Sequence, residues 1–197
     1  MRPGLAAGGI AIAFALACTL DSRDDSLGDK DPKRFGLGHT PPADSVALLD
    51  IDVSPNGAGL PAGTGTVDQG AVVYTSSCAV CHGDNGQGRP PYPQLIGGPK
   101  GNVDFSTDAR IPRTIGNYWP YATTLFDYIR RAMPITAPGS LSADQTYAVT
   151  AYLLSREGIV PASGRLDAHS LAAIQMPAKA RFVNDDRRGS LGGKNVR

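Results

Sequence analysis

Cys78-Ala79-Val80-Cys81-His82, running on as Gly83-Asp84-Asn85-Gly86-Gln87-Gly88, is the stretch on which the reading of this 197-residue chain turns. It closes a helical pattern and opens a loop. Upstream, Ala71, Tyr74 and Cys78 recur at helical spacing. Thr66 is a candidate N-cap, and Asp68 suits the positive first turn of a helix that begins at Val67. Downstream, residues 83–113 hold six Gly and five Pro, which is loop composition. Two thiols three apart, with an imidazole beside the second, form a donor set whose chemistry depends on the compartment.

The compartment is indicated at the amino terminus. Leu5 to Ala17 is an unbroken run of apolar and small residues, thirteen long, preceded by Arg2. That is short for a membrane span and right for a secretory signal. Ala15-Leu16-Ala17 makes a small-x-small cleavage site, so residues 1–17 are expected to be a signal peptide. Cys18 follows at once, which suits a lipoprotein acylated there; ordinary secretion with Cys18 as a chance residue is the alternative. A periplasmic location, with membrane attachment only through Cys18, is the expectation.

In an exported chain, Cys-x-x-Cys-His is the attachment signature of c-type haem. Two thiols at the end of a helix can reach the two vinyl groups of one porphyrin, and the adjacent imidazole then sits under the iron. A thiol–disulfide pair would need a strand–helix junction in a sheet-rich fold, and no such pattern surrounds these residues. Zinc would need a further pair at ligand spacing, which His39 and His169 do not form. One haem c is therefore expected, bound covalently by Cys78 and Cys81 and ligated by His82. The second axial position falls to a methionine that survives processing, Met133 or Met176. Met133 lies between two helical patterns, where packing can hold it, and is the expected ligand. Met176 lies beyond the last long helix, in a stretch expected to be less ordered. A backbone carbonyl near Pro93 is expected to orient His82. Tyr118 and Trp119, in Tyr118-Trp119-Pro120-Tyr121, are expected to wall the haem or bond a propionate.

The remaining composition narrows the class. Lys plus Arg is 19 and Asp plus Glu is 18, a formal charge of +1, so nothing calls for nucleic acid. Three cysteines exclude a disulfide scaffold, and 24 Gly with 16 Pro imply much loop. From Thr19 to Asn56 there are 8 acidic and 4 basic residues, and from Glu157 onward 4 and 7, so an acidic front arm and a basic tail flank a neutral centre. Residues 18–66 read as an extended arm in which only Val46-Ala47-Leu48-Leu49, Ile51 and Val53 could bury a short apolar face. Ala122 to Ala132 is a second helical pattern, with Leu125, Phe126, Ile129 and Met133 on one face. Ser142 to Arg156 is the third, with Ser142 and Gln145 as a capping-box pair and Gly158 as its stop.

The loop quoted first resembles the haem loop of class I cytochromes c. In that family a helix carrying a Gly and an aromatic crosses a C-terminal helix; Gly70 and Tyr74 match the first and Tyr152 the second. Pro93 and Leu95 match the family's Pro-x-Leu step, whose proline carbonyl orients the histidine, and Met133 matches its distal ligand. The resemblance implies an all-α class I cytochrome c fold over residues 67–158, with a long irregular N-terminal arm and a C-terminal extension, 159–197. A narrower resemblance lies in Phe35-Gly36-Leu37-Gly38, Asp50-Ile51-Asp52-Val53, the stretch 59–67, the stretch 118–134 and Leu166-Asp167-Ala168 with Met176-Pro177. These are similar to cytochrome subunits of the Sox sulfur (sulfane) dehydrogenase. That resemblance implies an electron-transfer subunit, not itself a catalyst. It would take electrons from a molybdopterin-containing sulfite or sulfane dehydrogenase subunit and pass them to a downstream small cytochrome c. Some members carry two haems; this chain has one haem motif. The rival expectation is a haem enzyme or gas sensor with an open iron site, or a lipid-anchored carrier for another dehydrogenase.

Overall fold

The computed structural model describes residues 38–101, 105 and 108–183. The expected signal peptide, Cys18 and the arm as far as Leu37 lie outside the described residues. Gly38 to Pro42 are exposed coil and fall in a unit separate from the rest of the described residues. Every helix and strand named below belongs to the unit from Ala43 onward.

The elements are a short helix α1 (Ala43–Ala47), strand β1 (Thr64–Thr66), helix α2 (Val67–Ser77), the single turn α3 (Ala79–His82), α4 (Ile115–Tyr118), α5 (Ala122–Ala132), α6 (Ala143–Arg156), strand β2 (Arg165–Asp167) and α7 (Ala168–Ala172). A 3-10 turn, Lys179–Arg181, comes after them. The three long helices stand where periodicity puts them. Their starts are set by local chemistry: Gln69 N donates to Thr66 Oγ1 while Thr66 N donates to Gln69 Oε1, and Ser142 with Gln145 repeats the arrangement. Such a cap is worth about 1 kcal/mol. Asp167 and Ser170 cap α7 the same way.

α2 crosses α6, with the ring of Tyr74 5.2 Å from that of Tyr152. α5 packs on α6 through Phe126 and Tyr147, whose centroids lie 4.5 Å apart. Tyr74, Phe126, Tyr147, Val149, Leu154 and Leu171 are fully buried. Each contributes about 1.5–3 kcal/mol of transfer free energy, so the core lies at the junction of these helices.

Two features depart from the expectation of a loose arm and tail. β1 and β2 pair antiparallel, with Gly65 opposite Leu166. The chain after β2 is packed: Leu166, Leu171, Met176 and Ala178 are all buried. The less ordered tail expected around Met176 is therefore a correction, because its apolar side chains fill the flank of the helical core. Among the described residues, no helix is long and apolar enough to cross a membrane.

Candidate functional site

α2 stops at Cys78, and the chain makes one further turn before the loop. Cys81 N and His82 N both donate to Cys78 O, at 3.1 and 2.9 Å. Gly83, at φ +79°, ends the turn and donates to Ala79 O, a left-handed geometry that favours glycine. The two thiols thus stand one turn apart, both free and half-buried. Burial, with the charge of Cys81 second, pushes the Cys78 thiol up to about 11.

His82 is held from behind. Its Nδ1 lies 3.0 Å from the carbonyl oxygen of Pro93. A carbonyl only accepts, so Nδ1 carries the proton and Nε2 keeps a free lone pair for a metal. The loop that supplies this carbonyl is itself anchored. Leu95 N and Ile96 N donate to Gly86 O at 2.8 and 3.1 Å, and Ile115 N donates to Leu95 O at 2.9 Å. Gly97 N donates to Oε1 of the buried Glu157 at 2.9 Å. From α2, the buried Tyr74 hydroxyl donates to Gly83 O at 2.7 Å and holds the turn beneath His82. Neither role is visible in the sequence. Tyr74 reads there as an apolar helix position, and Glu157 as the last residue before a stop.

The two methionines differ in setting. Met176 is 4% exposed, inside the core cluster. Met133 comes after the last turn of α5 in extended conformation, half-buried at the edge of the core. Of the two, it is the one whose side chain the protein leaves partly uncovered. The other expected wall residues are placed differently from each other. The ring of Tyr118 sits 5.3 Å from Phe105 and 5.8 Å from Phe182, with the Arg113 guanidinium 5.3 Å over it. Trp119 lies edge-on to Tyr128 at 5.8 Å and packs against the core. His169 lies in α7 and takes no part in this site, and His39 is exposed coil in the unit before Ala43.

The chemistry of these donors fits a covalently bound porphyrin. Two thiols sit one turn apart, one imidazole has a single nitrogen free, and half-buried Leu95, Trp119 and Met133 offer apolar surface. Among the described residues no group of three His, Cys, Asp or Glu side chains is arranged to hold a metal ion directly. A pocket between residues 98–101, 116–117 and 177–181 includes neither cysteine nor His82.

Comparison with known proteins agrees with this geometry. A family model for cytochrome c matches residues 67–157. The thiosulfate dehydrogenase of Stutzerimonas stutzeri (strain A1501) is 33% identical over an alignment of 144 residues that covers 63% of this chain. The chain spans 44% of the length of that curated relative. The crystal structure of the sulfane dehydrogenase SoxCD from Paracoccus pantotrophus superimposes with a TM-score of 0.67 at 38% identity, covering 78% of this chain and 73% of that one. This chain belongs to the cytochrome c family: it is a class I c-type cytochrome related to the Sox sulfur-oxidising dehydrogenases, with haem c as its cofactor.

Proposed function

We propose that this protein is a periplasmic monohaem cytochrome that serves as the one-electron carrier subunit of a molybdenum-dependent sulfite or sulfane dehydrogenase, and hands electrons to a downstream small cytochrome c. Haem c supplies a reversible one-electron couple when bound. Cys78 and Cys81 hold it by thioethers, and His82 is its proximal ligand. The observation that carries the reading is the imidazole of His82, locked by Pro93 O at 3.0 Å with Nε2 left for iron. Met133 is the distal ligand, since it is half-buried where Met176 is packed away. With His82 and Met133 both holding the iron, no position on it would remain for substrate. Trp119 and Tyr118 would wall the haem or bond a propionate.

The choice of partner rests on the likeness to SoxCD. Exposed Leu48 and Leu49 on the acidic arm support a role for that arm in holding a partner chain. Export through residues 1–17, and acylation at Cys18, complete the proposal.

The likeness to a thiosulfate dehydrogenase favours a second reading, a haem enzyme whose iron is open to substrate. Purification of the mature protein from cells with a working haem-maturation apparatus separates the two. A pyridine haemochrome equivalent to one haem, a near-infrared methionine–iron band and co-purifying molybdenum are expected. A missing near-infrared band with tight carbon monoxide binding would establish the open-iron enzyme. Haem without molybdenum in the isolated complex would overturn the partner assignment alone.

A further inference from the structure

α5 delivers Met133 at its C-terminal end, yet its ring contact with α6 is the one pair Phe126–Tyr147. Residues 51–64, upstream of the haem-binding domain, cross both helices as a strap. On α5, Thr123 Oγ1 donates to Pro55 O at 3.0 Å and Arg130 Nη1 donates to Ile51 O at 3.2 Å. Val53 N donates to Asp127 Oδ1 at 3.0 Å. On α6, Tyr147 Oη donates to Pro61 O at 2.8 Å, and Thr64 N donates to Asp144 Oδ1 at 2.7 Å. Thr123, Asp127 and Arg130 recur at the spacing of one helical face, and Met133 leaves the helix three residues later.

Asp127 is the centre of this face. It is 8% exposed, and Arg131 Nε donates to Oδ1 at 2.9 Å while Arg131 Nη2 donates to Oδ2. A buried carboxylate is costly without partners, and here its partners are the helix's own arginine and the backbone of the strap. Val53, beside that hydrogen bond, is 5% exposed and belongs to the core. A helix of eleven residues moves as a rod, so a grip on the strap face fixes where its end lies.

We propose that residues 51–64 brace the distal ligand, and that Asp127 is the positioning residue through which they hold Met133 in place. This rests on the reading of Met133 as iron ligand. Without the brace, α5 is free to tilt and the thioether leaves the iron while the rest of the fold persists.

The test uses the haem-loaded full chain, with Asp127→Ala, a double variant Thr123→Val/Arg130→Met, and Asp167→Ala as a control that removes the α7 cap. The near-infrared methionine–iron band is followed on heating beside far-ultraviolet dichroism, and imidazole is titrated into the oxidised protein. Asp127→Ala should lose the band well before it unfolds and should bind imidazole about tenfold more tightly, the factor expected when one charge-assisted hydrogen bond is lost. The double variant should shift in the same direction. The control should unfold earlier with band loss and unfolding together. If band loss and unfolding coincide in Asp127→Ala and its imidazole affinity equals that of wild type, the brace is refuted. If Asp127→Ala does not load haem, unchanged imidazole affinity in the double variant refutes it. A wild-type protein without the band refutes the ligand assignment itself, and the brace with it.

Discussion

Gly70 of α2 lies on the backbone of Ala148 in α6 so closely that a Cβ built on Gly70 would stand 1.9 Å from the Ala148 carbonyl oxygen. Backbone on both sides leaves nothing to rotate away. Ala in place of Gly inside a helix ordinarily gains about 1 kcal/mol, and here the clash reverses the sign. Gly70→Ala should lower the free energy of unfolding by about 2 kcal/mol and Gly70→Val by more, read from urea titrations of the holoprotein. An unchanged urea midpoint for Gly70→Ala would mean that the two helices do not cross this closely.

Tyr74 carries a pH prediction. Its phenol is pushed up to about 12, chiefly by burial, with the thiolate of Cys78 as the second cause. The native state thus holds its proton more tightly than the unfolded chain, whose phenols titrate near 10. That contribution is fully present below pH 10 and is lost as pH rises through 12. At pH 7, Tyr74→Phe should cost about 1 kcal/mol, because Gly83 O loses its donor. Above pH 10 the gap between wild type and variant should close and then reverse, since burial of the phenolate costs about 2–3 kcal/mol. Thioether formation removes the Cys78 charge, so the holoprotein window should begin near 10 and end below that of the free-thiol chain. A gap that stays constant to pH 12 would show that the phenol is not buried in the native state.

The two methionines should part cleanly. Met133→Ala should abolish the near-infrared band, admit carbon monoxide to the reduced iron and lower the reduction potential. The drop should be a sizeable part of the roughly 0.8 V range that axial ligands command. Met176→Leu keeps volume and apolarity in a 4% exposed site and should leave spectrum and potential alone. Its cost should stay below about 1.5 kcal/mol. The reverse pattern would move the ligand to Met176.

The arm should be separable from the haem. Removal of residues 19–50 takes away Val46, Leu48 and Leu49, all exposed, and spares the strap that begins at Ile51. The expected outcome is weaker association with the dehydrogenase partner, measured by co-purification, with an unaltered haem spectrum. Spectral loss would assign the arm a structural role instead.

Much of this protein is written locally. The starts of α2 and α6 are set by side chains that cap a backbone group three residues away, and their lengths by apolar spacing along one chain segment. The haem turn is five residues whose chemistry needs no distant partner, and the carbonyl of Pro93 lies only eleven residues from the imidazole it holds. Tertiary structure alone decided the rest. The strand Thr64–Thr66 carries almost no apolar signal and exists because it docks on Leu166, 102 residues from Thr64 along the chain. Asp127 reads in sequence as a polar position on an amphipathic helix. Its burial and its bond to Val53, 74 residues away, arise only once the strap has closed over α5. Helix caps and periodicity are near-neighbour interactions and leave their mark on the string. The pairing of distant segments is set by which surfaces remain to be covered after the helices pack, and no local pattern records that.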